Sequence, residues 1–416
     1  MRAMRDSGVE SFGRIPESWD VVKFKTLFTQ RKERNRGDEE LLSVYLDRGV
    51  ISYADSDGMQ VHKPSEDMSK YQRVHVGDFV LNNQQAWRGS VGVSRYDGIV
   101  SPAYVVLRMS STCNPSYMDY LLRNGCMYQQ YEVCSRGVGT IQRNIFLPWL
   151  MNCYLALPPL DEQRRIADYL DARCVDIDAI SQKVRSEIDL LGEYRKSVIY
   201  EAVAKGLDKG VPMRDSGIEW VGEMPEGWDT LKGKYVLTLL QRSVRPDDGV
   251  ITCFRDGEVT LRSNRREDGF TMADREIGYQ GINAGDLVIH GMDGFAGAIG
   301  ISDSRGKGSP VLIVLDSEQN KRYLMYYIRC MAMCKVFEAL STGIRVRSCD
   351  LSWQKLANLP FPIPPLDEQR RIADYLDARC SDIDAIIAKK RQQLDVLADY
   401  RKSLIYECVT GKREVA

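Results

Sequence analysis

Two stretches of the chain repeat apolar residues at helical spacing over an unusual length. In the first, Ile166, Leu170, Ile177, Ile180, Val184, Ile188, Leu191, Tyr194, Val198 and Ala202 follow Pro158-Pro159, and Leu170, Ile177, Val184, Leu191 and Val198 fall seven apart. In the second, Leu376, Ile383, Leu397 and Leu404 keep the same register, broken at Lys390. Spacing of seven with a second apolar series predicts helices that pair with other helices. At ~1.5 Å per residue, an unbroken run of ~45 residues would span about 65 Å. Pro158-Pro159 closes the preceding segment, and Asp161 is the predicted N-cap. Such an arm cannot bury its stripe against itself. The expected partner is the other arm, which carries the same pattern; the alternative is that each arm packs on its own globular part.

The segments before the arms read differently. Residues 78–81, 104–107, 286–289 and 311–315 are short apolar runs bounded by turn residues and predict strands. Gly89, Gly92 and Gly98 punctuate the first part, and Gly291, Gly294, Gly297 and Gly300 the second. Residues 117–131 and 321–340 predict helices. The expected fold class is α+β: two homologous mixed α/β domains, each followed by a long helical arm. The expected boundaries are 1–157, 158–212, 213–363 and 364–416.

The halves are copies. Residues 158–174 read PPLDEQRRIADYLDARC, and residues 364–380 read the same letter for letter. Met4-Arg5-Asp6-Ser7-Gly8 recurs as Met213-Arg214-Asp215-Ser216-Gly217, and Pro16…Trp19-Asp20 as Pro225…Trp228-Asp229. Gly77-Asp78 matches Gly285-Asp286, Ser101-Pro102 matches Ser309-Pro310, and Gly137 matches Gly343. The offset drifts only from 209 to 206, far too long for a solenoid repeat. The arms are near-identical and the globular parts diverge, which suggests one job done twice and a second kind of job done on two targets. The order is also circular: the motif that opens the chain recurs shortly after the first arm. If the halves obey a pseudo-two-fold axis, the two chain ends lie close together.

Composition narrows the function. Of 416 residues, 44% are hydrophobic, and 57 Lys+Arg against 58 Asp+Glu leave a net charge of −1. The chain therefore lacks the global basic excess of a stand-alone DNA binder, so nucleic-acid contact would be local or shared. No window approaches the ~18 consecutive apolar residues of a membrane span, and no apolar stretch follows Met1-Arg2 as in a secretory signal, so the expected compartment is the cytoplasm. The 11 Cys include no Cys-x-x-Cys pair; Cys330 and Cys334 are the closest, and His62, His75 and His290 are the only histidines. The expectation is no metal site and reduced, mostly buried thiols.

Catalytic motifs are missing. Arg305-Gly306-Lys307-Gly308-Ser309 lacks phosphate-loop spacing, and Gly137-Val138-Gly139 is too short for a dinucleotide fingerprint. Asn114-Pro115-Ser116-Tyr117 resembles the Asn-Pro-Pro-Tyr of adenine methyltransferases, but a helix start with Pro115 in its first turn fits better. What remains is binding chemistry. Lys23, Lys25, Arg31, Lys32, Arg34 and Arg36 form a basic run with Phe24 and Phe28 interleaved, read either as a nucleic-acid surface or as a solvated face. Gln84, Gln85, Trp87 and Arg88 sit on a predicted loop, and Arg136, Thr140, Gln142, Arg143 and Asn144 on another. In the second half, Thr342, Arg345, Arg347 and Ser348 match the latter loop, and His290 is a further candidate. Arg suits guanine and Gln or Asn suits adenine in the major groove, so such loops fit direct readout; ordinary polar loops are the alternative.

The duplicated Pro-Pro-Leu-Asp-Glu-Gln, the arm behind it and the recurring Pro…Trp-Asp resemble the specificity subunit of type I restriction–modification enzymes over the full length. The resemblance implies two target recognition domains, each reading half of a bipartite, asymmetric double-stranded DNA site. It implies arms that pair as an antiparallel coiled coil, space the domains and dock two methyltransferase subunits. Arg164, Arg165 and Tyr169, with their copies Arg370, Arg371 and Tyr375, are the candidate docking residues. It further implies no catalysis and no cofactor in this chain: S-adenosylmethionine would belong to the methyltransferase subunits, and ATP and Mg to two motor–nuclease subunits. A self-contained methyltransferase or nuclease, or a scaffold that does not bind DNA, are the competing functions.

Overall fold

The computed structural model describes residues 2–37, 39–46, 48–56, 64–65, 67–138, 142–265, 277–340 and 351–415. The chain forms two compact units, residues 1–184 with 392–416 and residues 185–391. Each unit thus takes one globular part, part of one arm and part of the other.

In each unit the core is a four-stranded antiparallel sheet of the same order. In the first, Phe28–Gln30, Tyr104–Met109, Phe79–Asn82 and Val91–Val93 lie side by side; in the second, Thr238–Leu239, Leu312–Asp316, Leu287–His290 and Ile299–Ile301 do. The predicted strands are all present. The predicted helices are each interrupted: Pro115–Leu122 is followed by Gly125–Val133, and Lys321–Met333 by Val336–Ala339. Asn124 stops the first because its side chain accepts from Cys126 N and caps a new helix. Asn114 likewise accepts from Tyr117 N with Pro115 in the first turn, so the methyltransferase-like tetrapeptide is a helix start.

The repeated motifs turn out to be fold devices. In Met-Arg-Asp-Ser-Gly, Arg5 donates to Trp19 O and Arg214 to Trp228 O, both at 2.6 Å. Asp6 and Asp215 accept from the amides of Gly8 and Gly217, which have φ of +71° and +69° and so need glycine. In Gly-Asp, the buried Asp78 and Asp286 accept from His75 N and Asn283 N and each clamp an arginine, Arg31 and Arg242.

The arms are helices Leu160–Lys205 and Leu366–Val409, of 46 and 44 residues. Asp161 lies inside the first turn rather than capping it. The carbonyls of Pro159 and Pro365 already accept the first helical amides, and Asp161 instead pairs with Arg164. Gln163 and Gln369 are 1% and 0% exposed. Gln163 accepts from Asn114 N at 2.8 Å and donates to Pro158 O at 2.9 Å; Gln369 accepts from Asn320 N at 2.9 Å and donates to Pro364 O at 2.8 Å. The repeated Gln therefore ties each arm to the helix of its own unit.

Within each unit the arm segments run antiparallel. In the second, Glu187 pairs with Lys390 and Arg195 with Asp384; in the first, Arg401 approaches Asp178 as the counterpart of that last pair. Lys390, which breaks the apolar register, is thereby neutralised. Ile166, Leu170 and Ile177 pack with Leu404, Cys408 and Val409 in one core, and Ile372, Leu376 and Cys380 with Val198, Ile199 and Val203 in the other. The fully buried Tyr117 points its hydroxyl at Val409 O, and Tyr323 at Val203 O, both at 3.4 Å. The chain ends meet as the circular order requires: a Cβ on Gly411 would lie 2.4 Å from Pro16, just as one on Gly206 would lie 3.1 Å from Trp228.

Candidate nucleic-acid interface

The second predicted loop of the first unit is a hairpin, Ser135–Val138 with Gln142–Ile145, in which Arg136 faces Asn144 and Gly137 faces Arg143. Period-two alternation puts Arg136 and Asn144 on one face and Arg143 on the other. The hairpin's root is buried: Phe146 N donates to Cys134 O at 2.8 Å and Ile145 N to Asn83 O at 3.1 Å. That last bond brings the other predicted loop alongside. Residues 84–89 contain the short helix Ala86–Arg88, closed by Gly89 at φ +101°, where a Cβ would strike Tyr128 at 2.6 Å.

Two arginine–aromatic stacks result. The Arg136 guanidinium lies 3.8 Å from the centroid of Phe146 and 4.2 Å from that of Trp149. Trp149 is half-exposed, and its ring meets Phe146 edge-on. Arg143 lies 5.2 Å over Trp87 and pairs with Glu132 at 2.9 Å. Trp87 Nε1 donates to Gln84 O, so the ring is held on its own turn, with Arg88 exposed beside it. A guanidinium held against rings leaves donors for a base or phosphate, whereas Arg143 is shared with a carboxylate. Phe146, Trp149 and Glu132 were not among the candidates. Their sequence signal is weak: an aromatic pair three apart, with Ser352 and Lys355 at the matching positions of the other half.

Other candidates fall elsewhere. Arg31 is withdrawn from an open basic surface. It is clamped between Asp78 at 2.7 Å and Glu33, whose carboxyl the hydrogen bonds of His75 and then Arg31 hold down at about 2. Arg242 makes the equivalent clamp, so this arginine serves the fold. Phe24 and Phe28 are core, stacked at 4.3 Å, and do not interleave a nucleic-acid surface. Lys25 and Lys32 are exposed, and Lys23 lies over Tyr154. Gln84 is exposed and Gln85 half-buried. Thr140, Thr342, Arg345, Arg347 and Ser348 lie outside the described residues, and Gln142 contributes backbone pairing to Val138.

The second unit has the same turn in different chemistry. Gly294–Ala296 ends at Gly297, φ +98°, with Phe295 and Ala296 where the first unit has Trp87 and Arg88. His290 Nδ1 accepts from Asp293 N at 3.0 Å, and burial lowers its pKa, so it is a neutral cap inside the turn rather than a cationic contact. Beside it is a cavity of about 590 Å³ lined by Arg255, Arg262 and Arg265 among others.

The arms present a repeated surface. Arg164, Arg165, Arg370 and Arg371 are exposed, with Arg164 and Arg370 paired to Asp161 and Asp367 within the helix. Tyr169 takes a bond from Arg413, and its copy Tyr375 is 39% exposed. Two residues of the expected apolar stripe, Ile180 and Tyr194, face out. With them the second unit exposes Leu190 and Ile386, and the first Val396 and Tyr400, at equivalent positions. Among the described residues, no group of three or more His, Cys, Asp or Glu is arranged to hold a metal ion, and no helix is long and apolar enough to cross a membrane.

Twin frames of one strand order, each built on segments of both arms, carry unlike turns, which defines a duplicated subunit with two differing surfaces. The family model for the type I restriction modification DNA specificity domain matches residues 281–396. The type I restriction enzyme MjaVIII specificity subunit of Methanocaldococcus jannaschii is 24% identical over 97% of this chain and 94% of its own. The EcoKI specificity subunit of Escherichia coli K12 is 23% identical over 46% of this chain and 44% of its own. A solved chain described under "Structural basis underlying complex assembly and conformational transition of the type I R-M system" shares the fold with a TM-score of 0.69 at 17% identity, covering 96% of this chain and 99% of that one. The HsdS subunit from Thermoanaerobacter tengcongensis does so with a TM-score of 0.52 at 17% identity, covering 96% and 98%. Over nearly its whole length the chain is thus similar to specificity subunits of type I restriction–modification enzymes, and the family model matches part of its second half.

Proposed function

We propose that each unit reads one half of a bipartite, asymmetric DNA site through its turn-and-hairpin surface, and that each docks one methyltransferase subunit on its arm segments. One observation carries this reading. The strand order and the Gln and Tyr contacts that tie in the arms recur in both units, while the turns differ: Trp87 and Arg88 in one half, Phe295 and Ala296 in the other. Equal frames suit equal partners, and unequal surfaces suit unequal half-sites. The methyltransferase subunits would bring S-adenosylmethionine and act on adenine, and two motor–nuclease subunits would bring ATP and Mg; the complex would work in the cytoplasm.

The test is to delete the gene and map adenine methylation across the host genome by single-molecule sequencing. Loss of methylation at one bipartite, asymmetric motif is the expected result. Loss at a palindrome, or at no motif while the methyltransferase subunit is expressed, overturns the reading.

Two further outcomes follow. The Leu190→Glu, Tyr194→Ala variant charges the exposed arm face of the second unit only, so native mass spectrometry of the co-expressed complex should record one methyltransferase subunit where the wild type holds two. Binding to a duplex carrying the mapped site should weaken steeply with salt, log K falling by ~0.9 per phosphate neutralised for each tenfold rise in salt. A flat salt response would favour a scaffold that does not grip DNA.

A further inference from the structure

Two cysteines 19 apart in sequence meet at the base of the recognition hairpin. Cys134 ends helix Gly125–Val133 and leads directly into the hairpin; Cys153 leads directly into strand Tyr154–Leu157. Their sulfurs are 3.2 Å apart, so disulfide formation needs an approach of only ~1 Å to the usual ~2.05 Å bond. Cys134 is buried and Cys153 is partly exposed. Both are wired to the rings that carry Arg136. The Cys134 carbonyl accepts from Phe146 N, and the Cys153 thiol donates to Trp149 O at 3.6 Å. The second unit has Leu340 and Leu359 at the matching positions, so the thiol pair belongs to one half only.

We infer that Cys134 and Cys153 form a reversible oxidation site that sets the geometry of the Arg136 platform, and hence the reading of one half-site. The second clause rests on the recognition role proposed above. The chemistry balances with a hydroperoxide as oxidant. The accessible Cys153 is the attacking group; the hydrogen bond from Cys134 lowers its pKa, while the same pairing and burial raise that of Cys134. The Cys153 thiolate attacks one oxygen of hydrogen peroxide and breaks the O–O bond, becoming a sulfenic acid; the hydroxide expelled takes up the proton the thiol gave up and leaves as one water. Cys134 then attacks the sulfenic sulfur, the S–S bond forms, and its proton leaves with the hydroxyl as a second water. Two thiols lose two electrons and the peroxide gains them. A dithiol reverses the bond by exchange. Oxidation removes the thiol donor to Trp149 O and encloses the whole hairpin in a covalent loop, so the Phe146–Trp149 stack must shift.

The experiment uses the full chain co-expressed with its methyltransferase subunit, treated with hydrogen peroxide and then with dithiothreitol. Non-reducing peptide mapping should show a cross-link joining residues 134 and 153, absent in Cys134→Ser and Cys153→Ser and reversed by dithiothreitol. On a duplex carrying the mapped site, oxidation should lower affinity roughly tenfold, about what one misplaced base contact is worth. A duplex with the first half-site scrambled should lose this sensitivity, and Cys153→Ser should be insensitive on both. Absence of the 134–153 cross-link in the wild type overturns the inference outright. A cross-link with unchanged affinity overturns its link to recognition. If the reduced complex does not discriminate between the two duplexes, the recognition role fails instead, and the cross-link is judged by the peptide map alone.

Discussion

Replacing Arg136 with alanine is expected to weaken binding to the cognate duplex by ten- to a hundredfold and to relax selection in one half-site only. A guanidinium that makes a bidentate contact to guanine O6 and N7 is worth ~1–3 kcal/mol of discrimination. Here the guanidinium already rests against Phe146 and Trp149, so little side-chain entropy remains to be lost on binding. Arg136→Lys separates charge from geometry. It keeps the cation for a phosphate but loses the fork and the flat stack, so a base-reading arginine predicts nearly the alanine loss, and a phosphate contact predicts recovery. Trp149→Ala should give part of the Arg136→Ala effect, because it removes one ring and leaves the cation. The measurement is a binding competition across duplexes with single substitutions, read with methylation maps of each variant. Equal relaxation in both half-sites, or none, would place the readout elsewhere.

The second large effect lies in the arms. Gln163→Ala and Gln369→Ala should each cost about 1–3 kcal/mol of stability, because each strands a buried amide and a buried proline carbonyl. The two changes sit in different compact units and share no partner, so the double variant should lose the sum. Gln163→Glu should be no better than alanine. A carboxylate can still accept from Asn114 N, but it cannot donate to Pro158 O, and its charge would be buried. Denaturant unfolding of the full chain checks this through the shift in midpoint. A loss well below 1 kcal/mol in each single variant would mean that water replaces the side chain.

Much of this architecture was legible in the order of residues. The seven-residue apolar series marked both arms because a helix that must bury one stripe repeats it at its own period. The duplicated Pro-Pro-Leu-Asp-Glu-Gln and Met-Arg-Asp-Ser-Gly announced two equivalent halves, and the circular order of those motifs announced that the chain end returns to its start beside Pro16. The strand positions followed from short apolar runs between glycines, and the resemblance to the specificity subunits followed from the repeated motifs.

Other features existed only once the elements met. A basic run says nothing about which arginine finds a carboxylate across the fold, so Arg31 and Arg136 looked alike although one is clamped to Asp78 and the other stacked on two rings. Phe24 and Phe28 alternate with lysines in sequence, yet Phe24 opens a short helix and Phe28 the strand behind it, and both rings are buried. His290 looked like a candidate DNA contact and is a turn cap. Residues 83–88 and 142–149 come side by side where Ile145 N bonds to Asn83 O. Periodicity reports how one element divides between core and solvent. Ring stacking, ion pairing and sulfur–sulfur approach depend on neighbours far away in the chain, and the tertiary structure alone chooses those.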